Sequence, residues 1–273
     1  MLKANETLAV IGCGTMGEAI VRGIFRSGKL APAQVFATDR RPDLVRDLAA
    51  RHKIRTSSDN LEAARLANVA LLCLKPQQMA SALDNQPMRD ALAGKLCVSI
   101  AAGVRLEQLT RWLPGSALIR AMPNTPAVIG EGTTVLARAK PVSDAQLALA
   151  SDIFGAIGRC TEIDEAYMDV VTALNGSGPA FAFLVLEALA DGAVMMGLRR
   201  DIAVSIAAQM LQGAARMVLE TGLHPAALKD QVTTPAGCTI AGLLTLEDGR
   251  IRSVLARAVE EATRVAGKLG DVK

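Results

Sequence analysis

The sequence predicts an α/β protein: a doubly wound parallel sheet over residues 1–164, then an all-helical domain over residues 165–273. Three observations carry this reading. Short apolar runs alternate with amphipathic stretches through the first half, the order of βαβ units. A glycine loop, Gly12-Cys13-Gly14-Thr15-Met16-Gly17, lies between the first apolar run and the first amphipathic stretch. Strand signals stop after about Glu165, and the chain beyond is Ala-rich with helical spacing.

The apolar runs fall at 8–11, 35–37, 69–74, 96–100 and 117–119. Between them, 17–27 and 42–52 read as amphipathic helices. Runs at 133–137 and 159–163 add two strands around a helix over 143–157. In the second half, 181–197, 202–221, 239–247 and 251–269 read as helices that are apolar on more than one face. A helix apolar all round is buried, and in so small a domain a second copy of the chain supplies the cover. An intimate homodimer is therefore expected.

Composition narrows the function classes. Hydrophobic residues make up 51% and aromatics only 3%, so the core is aliphatic. A formal charge of +3 without blocks of like charge gives no nucleic-acid arm. The five cysteines, Cys13, Cys73, Cys97, Cys160 and Cys238, form no Cys-x-x-Cys pair, and the two histidines are isolated, so zinc-ligand spacing is absent. An odd count of scattered cysteines suits a reducing compartment. The run from Asp169 to Glu187 is too short and too interrupted by Asn175, Gly176, Gly178 and Pro179 to span a bilayer. With no signal-type apolar region near residue 1, a soluble cytoplasmic protein is expected.

The glycine loop is the first motif with chemistry. Gly12 permits the tight turn, Gly14 lets a pyrophosphate approach the backbone, and Gly17 permits close helix–strand packing. Its strand–turn–helix context favours a dinucleotide site over a structural turn. Asp39 lies about twenty residues on, where an acid holds an NAD ribose. Arg40 and Arg41 beside it suit a 2′-phosphate instead. The two adjacent guanidiniums favour NADP(H) over NAD(H), while Asp39 alone reads as a cap for the helix at Pro42. Asn60 reads as a ribose or adenine contact, or as the cap of a helix near Leu61. Leu74, Lys75 and Pro76 end the third run, where they line the nicotinamide half or form an exposed turn. Ala101-Ala102-Gly103 and Met122-Pro123-Asn124 end the next two strands as a close, rigid wall. Leu174-Asn175-Gly176-Ser177-Gly178-Pro179 reads as a Gly-rich turn into a long helix. Glu165 meets a cationic substrate, or is a solvated or a capping carboxylate.

The most informative stretch is Thr233-Thr234-Pro235-Ala236-Gly237-Cys238-Thr239, a hydroxyl-rich turn feeding a helix. Small residues let a ligand approach, and free N–H groups at the helix start suit a carboxylate. Alone, the stretch is equally an ordinary helix cap.

These motifs, in this order, resemble the pyrroline-5-carboxylate reductases. The resemblance runs from Gly12-Cys-Gly-Thr-Met-Gly17 through Lys75-Pro-Gln77, Ala101-Ala-Gly103, Met122-Pro-Asn-Thr-Pro126 and Gly176-Ser-Gly-Pro-Ala180 to Val232-Thr-Thr-Pro-Ala-Gly-Cys-Thr-Ile240. It implies a Rossmann domain, a helical dimerisation domain and reduction of L-1-pyrroline-5-carboxylate to L-proline by NAD(P)H, the last step of proline biosynthesis. It also implies dimers that assemble into rings. By position, Thr239 would hydrogen-bond the substrate nitrogen. Thr234, Ala236, Gly237 and Cys238 would surround the carboxylate, and Glu165 and Asp230 would contact ligands. This chain departs from the family pattern at Ala236 and Cys238, at Asn175, usually Ser, and at Phe181, usually Tyr. Ala236 in place of Gly implies an ordinary φ at that position.

Three rivals remain at this level. A β-hydroxyacid dehydrogenase needs a Lys on its helical domain, and none occurs between Lys140 and Lys229. An imine reductase for another ring and a dinucleotide-binding regulator without turnover are the other two.

Overall fold

The computed structural model describes residues 2–270. Residues up to Ser177, together with those from Glu261 onward, form one compact unit, and Gly178–Glu260 form a second.

The first unit is built on eight strands: β1 (Leu8–Ile11), β2 (Val35–Thr38), β3 (Arg55–Ser57), β4 (Val69–Leu72), β5 (Leu96–Ser99), β6 (Ala117–Met122), β7 (Gly132–Arg138) and β8 (Gly158–Glu162). Their order is β3-β2-β1-β4-β5-β6-β7-β8. β1 is central, Leu8 standing opposite Val35 on one side and Val69 on the other. Helices α1 (Thr15–Arg26), α2 (Pro42–His52), α3 (Asn60–Leu66), α4 (Pro76–Leu83), α5 (Gln86–Leu92), α6 (Leu106–Trp112) and α7 (Asp144–Phe154) cover the two faces. Alternation in β1 assigns each residue to a face. Leu8 and Val10 pack with Ile20 and Ile24 of α1 and Phe154 of α7. Ala9 and Ile11 pack with Ala63 of α3, Met79 of α4 and Leu109 of α6. Full burial of each Leu or Ile contributes about 1.5–3 kcal/mol.

Two expectations need correction here. The sheet is not parallel throughout: β7 runs antiparallel to β6. Residues 123–131 that join them are fewer than the dozen or so a parallel crossover needs. β3 was not expected; it is an edge strand of Arg55, Thr56 and Ser57, too polar and too short to show a period.

A third correction concerns residues 174–179. No break separates two helices. The chain runs through α8 (Met168–Val171), a π-helical turn over Thr172–Ser177 and α9 (Gly178–Met195). The wide turn replaces the regular helical bonds just before Pro179, which has no N–H to give. Asn175 holds that turn in place: its Nδ2 donates to the Met122 and Thr133 carbonyls at 2.8 and 3.0 Å.

The second unit holds α9, α10 (Arg200–Thr221), α11 (Pro225–Gln231), α12 (Cys238–Asp248) and the start of α13 (Ile251–Ala266). α11 was not expected as a helix; the His224 Nδ1 accepts from the Ala226 N–H and Pro225 opens the first turn. The apolar faces of α9 and α10 are bare: Phe183 is 65% and Met195 82% exposed. By length and composition, two helical stretches, Glu165–Met195 and Arg200–Thr221, are long and apolar enough to cross a membrane. The continuous helix is why residues 169–187 are less interrupted than their glycines and proline suggest.

Candidate active site

β1 runs directly into the glycine loop. The N–H groups of Gly12 and Cys13 donate to the Thr38 carbonyl at 3.0 and 2.7 Å, which ties the loop to the end of β2. Gly12 has φ +85°, and a Cβ there would lie 2.7 Å from Leu74 Cδ2. α1 then begins at Thr15 with Gly14 as its N-cap and no side chain capping it. The first N–H groups are thus left for a ligand, at the positive end of the helix dipole. Such an arrangement suits a pyrophosphate.

The loop opens on a cleft of about 680 Å³. Of the residues expected to meet the cofactor, Gly12, Gly14, Asp39, Arg40, Arg41, Asn60, Leu74 and Lys75 come together along it. So do Gln78, Ser81 and Ala82 of α4, which sequence reasoning missed. Their i, i+3, i+4 spacing after Pro76 was the available signal. Thr38 Oγ1 donates to Asn60 Oδ1 at 2.7 Å and fixes that amide at the cleft wall. Asn60 is not the cap of α3: Asp59 is, accepting from the Leu61 N–H at 2.8 Å.

The end of β2 resolves the conflict between Asp39 and its arginines. Asp39 Oδ1 accepts from the Arg41 backbone N–H at 3.0 Å and from Nε at 2.9 Å, and Oδ2 accepts from Nη2 at 3.2 Å. Partial burial pushes the Asp39 carboxyl up, but the Arg41 hydrogen bonds and the charges of Arg41 and Arg40 outweigh it, leaving it below the ordinary carboxylate value. Arg41 Nη2 lies 3.8 Å from where a Cβ on Gly14 would stand, so the guanidinium is held beside the phosphate seat. Arg40 is exposed next to it. The donor set fits a dinucleotide with a 2′-phosphate: an uncapped helix start, an anchored guanidinium and a neutralised acid.

The other expected cofactor residues differ in what they offer. Cys13 is buried, and burial, then the charges of Glu18 and Asp39, push its thiol up to about 12. Only its backbone is left to offer a ligand. Thr15 is exposed at the start of α1, Gly17 is buried under it, and Met16 packs partly on the core. Pro76 is the first residue of α4. Ala101 and Gly103 are buried and Ala102 half-buried after β5; Met122, the last residue of β6, and Pro123 are buried. The Asn124 amide is already engaged: Oδ1 accepts from the Thr133 N–H at 2.8 Å and Nδ2 donates to Asn175 Oδ1 at 3.0 Å.

Of the readings for Glu165, the structure bears out the capping one rather than the solvated one. Its Oε1 accepts from the Leu106 N–H, the start of α6, at 2.6 Å and lies 3.5 Å from Arg120 Nη1. Asp169 takes Arg120 Nη2 at 3.2 Å. Arg120 is 2% exposed, and its Nε has no partner. Sequence reasoning missed Arg120, although an Arg inside the apolar run of β6 was signal enough, since buried charge needs a partner.

In the second unit, the Thr-rich stretch turns tightly between α11 and α12. The Gly237 N–H donates to the Thr234 carbonyl at 3.1 Å. Pro235 precedes Ala236, which has φ +56°. The expected ordinary φ at Ala236 is therefore wrong. A turn with Pro in second place and positive φ in third is a type II turn, and the geometry is kept although Ala stands at the position that favours Gly. A Cβ on Gly237 would come 2.6 Å from Thr234 Oγ1, so that hydroxyl folds over the turn. Gly237 is the N-cap of α12 with no side-chain cap, leaving the N–H groups that begin at Cys238 and Thr239 for a ligand. Cys238 is exposed and Thr239 half-buried. Asp230 sits on α11, exposed and paired with Lys229 Nζ at 2.5 Å.

Comparison with known proteins assigns the chain. Residues 165–269 match the family model for pyrroline-5-carboxylate reductase dimerisation, and residues 7–103 match that for NADP oxidoreductase, coenzyme F420-dependent. A pyrroline-5-carboxylate reductase of Methanosarcina acetivorans is 41% identical, covering 97% of this chain and 98% of its own. That of Synechocystis is 42% identical over 96% and 98%. Among solved structures, the Coxiella burnetii pyrroline-5-carboxylate reductase superposes with TM-score 0.90 at 33% identity, covering 97% and 98%. The Plasmodium falciparum pyrroline carboxylate reductase with NADP bound gives 0.88 at 29%, covering 98% and 100%. The chain belongs to the pyrroline-5-carboxylate reductase family.

Proposed function

We propose that this protein reduces L-1-pyrroline-5-carboxylate to L-proline with NADP(H), the last step of proline biosynthesis, and that NAD(H) serves less well. The observation that carries this is about 40% identity to curated pyrroline-5-carboxylate reductases over nearly the whole of both chains. The cleft chemistry agrees with the cofactor.

The bound dinucleotide supplies the hydride that adds to the C=N carbon, and the ring nitrogen ends with one more proton. The chain's own groups bind and orient. The α1 N–H groups hold the pyrophosphate, Arg40 and Arg41 the 2′-phosphate, and Asn60 the ribose. Leu74, Lys75, Pro76, Ala101, Ala102, Gly103, Met122, Pro123 and Asn124 form the wall for the nicotinamide half. The α12 N–H groups, with Thr234, Ala236, Gly237 and Cys238, cradle the substrate carboxylate. Thr239 hydrogen-bonds the ring nitrogen and handles its proton. A cyclic imine nitrogen is basic enough to take its proton from a hydroxyl or from solvent, so no strong acid is required. Asp230 and Glu165 shape the site from outside the reacting atoms, Glu165 through Arg120 and Leu106.

Residues 1–164 are the dinucleotide-binding domain and 165–273 the dimerisation and substrate domain. The match of residues 165–269 to the dimerisation model supports that division. The bare faces of α9 and α10 bury against a second copy, in a homodimer that assembles into a ring. The bareness of Phe183 and Met195 supports this cover. The cell compartment is the cytoplasm.

The test is steady-state loss of nicotinamide absorbance with pyrroline-5-carboxylate and with the six-membered piperideine-carboxylate, each with NADPH and NADH. Preference for the five-membered ring with NADPH is expected. Oxidation with piperideine-carboxylate alone would shift the reading to a different imine reductase, and no oxidation with either ring would favour a regulator.

A further inference from the structure

The loop after β5, Ala101-Ala102-Gly103, is not free-standing. Gly103 has φ +78°, and a Cβ on it would lie 2.6 Å from Leu269 Cβ and 2.7 Å from the Gly270 nitrogen. A Cβ on Gly270 would come 2.0 Å from the Gly103 carbonyl oxygen. The two backbones are therefore in direct contact, and each glycine is there because the other chain segment is. Gln108 fastens the contact. Its Oε1 accepts from the Arg105 N–H at 2.9 Å, closing the start of α6, while its Nε2 donates to the Gly270 carbonyl at 2.7 Å. Arg105 Nη2 adds a bond to the Gly267 carbonyl at 3.3 Å. From the other side, Glu165 takes the Leu106 N–H. The loop is thus clamped between Glu165 and the residues that follow α13.

We propose that residues 267–270 are a positioning strap for the wall formed by residues 101–103, so that affinity for the nicotinamide half of the cofactor depends on a segment that touches no ligand. This rests on that wall facing the nicotinamide, as proposed above. The strap acts on the loop at the carboxyl end of β5, the end where ligands lie in such sheets. It leaves the adenine half, held by Asn60 and Arg41, alone.

Gln108→Glu tests it. Glu keeps the acceptor for the Arg105 N–H at the start of α6, but it has no donor for Gly270. The readout is calorimetric binding of NADPH and of adenosine 2′,5′-bisphosphate, which lacks the nicotinamide. NADPH is expected to bind about fivefold more weakly, the usual loss for one hydrogen bond, while the bisphosphate stays within about twofold. Gly270→Ala, which pushes the strap off Gly103, and a chain ending at Ala266 are expected to weaken NADPH at least as much. If the shortened chain does not fold, the two point variants carry the test. Unchanged NADPH affinity in both, or equal weakening of both ligands, overturns the strap. A wild-type protein that binds NADPH but never oxidises it with pyrroline-5-carboxylate overturns the proposed function and leaves the strap standing.

Discussion

Asp39 and Arg41 meet at two points at the end of β2, Oδ1 to Nε at 2.9 Å and Oδ2 to Nη2 at 3.2 Å. The acid that elsewhere in such folds holds the ribose hydroxyls here holds an arginine. Arg41→Ala should raise KM for NADPH about 10- to 100-fold, the range for a hydrogen-bonded charge, and leave KM for NADH within about threefold. Equal loss for both cofactors would separate Arg41 from the 2′-phosphate. The pH dependence follows from the sign of the Asp39 shift. Its native value is lowered, so the pair is fully formed above the unfolded value of about 3.9 and is lost only as pH falls through the lower native value. Between pH 5 and 9, on the order of the usual assay range, Asp39 does not titrate. What titrates is the 2′-phosphate, near pH 6 by analogy with other phosphate monoesters. KM for NADPH should therefore rise below about pH 6 in the wild type, and much less in Arg41→Ala.

Ala236 holds φ +56° in the turn before α12. An L-residue there costs roughly 1–2 kcal/mol, part of which Gly would give back as added freedom in the unfolded chain. Ala236→Gly should still be net stabilising, raising Tm by about 1–3 °C at about 2–4 °C per kcal/mol. Ala236→Val, with a branched Cβ, should lower it. Scanning calorimetry decides, and a fall in Tm for the Gly variant would show that the turn is unstrained.

The Asn175 amide serves two carbonyls and accepts from Asn124. Asn175→Ala strands these groups in a partly buried site and should cost about 2–3 kcal/mol, read by urea unfolding. A loss under about 0.5 kcal/mol would mean that water replaces the amide.

How much of this was legible in the chain depends on whether the signal was local. The strands carrying the glycine loop showed themselves because each is a run of buried aliphatics, as at Leu8, Ala9, Val10 and Ile11. The cleft residues near β1, β2 and β4 followed from their place just after such runs. Features set by longer-range geometry did not. The direction of β7 depends on the length of a connection rather than on its composition. The π turn at Thr172–Ser177 depends on Asn175 reaching carbonyls more than forty residues away in the chain. The positive φ of Ala236 is set by the turn between two helices, against the preference of the residue that occupies it. Arg120 lies between these cases: its burial was readable from its neighbours, but its partners Glu165 and Asp169 were not.

The cysteines should react in an order set by burial. Burial pushes Cys13 and Cys97 up to about 12 and Cys73 higher still, so all three stay thiols at pH 8. Cys238 is exposed at the first position of α12. Brief treatment of the native protein with iodoacetamide should label Cys238 first, as read by peptide mass spectrometry. L-proline should slow that labelling if the α12 start holds its carboxylate. Protection by NADPH alone, with none from proline, would move the carboxylate seat elsewhere.

Thr239 is the second residue of α12, half-buried, behind an N-cap that leaves its N–H free. Its hydroxyl is the group in the turn best suited to meet a ring nitrogen while neighbouring N–H groups hold the carboxylate. Proton handling by a positioned side chain contributes about 10²–10⁴-fold, so Thr239→Ala should lower kcat by that factor. KM for NADPH should stay within about twofold, because the cofactor half of the site is untouched. Thr239→Ser keeps the hydroxyl and should recover most of the loss, which separates hydrogen bonding from the packing of the methyl group. If Thr239→Ala instead turns over at nearly the wild-type rate, the hydroxyl has no part in the chemistry. The iminium would then enter already protonated, held by its carboxylate alone, and the rate would fall as pH rises in wild type and variant alike.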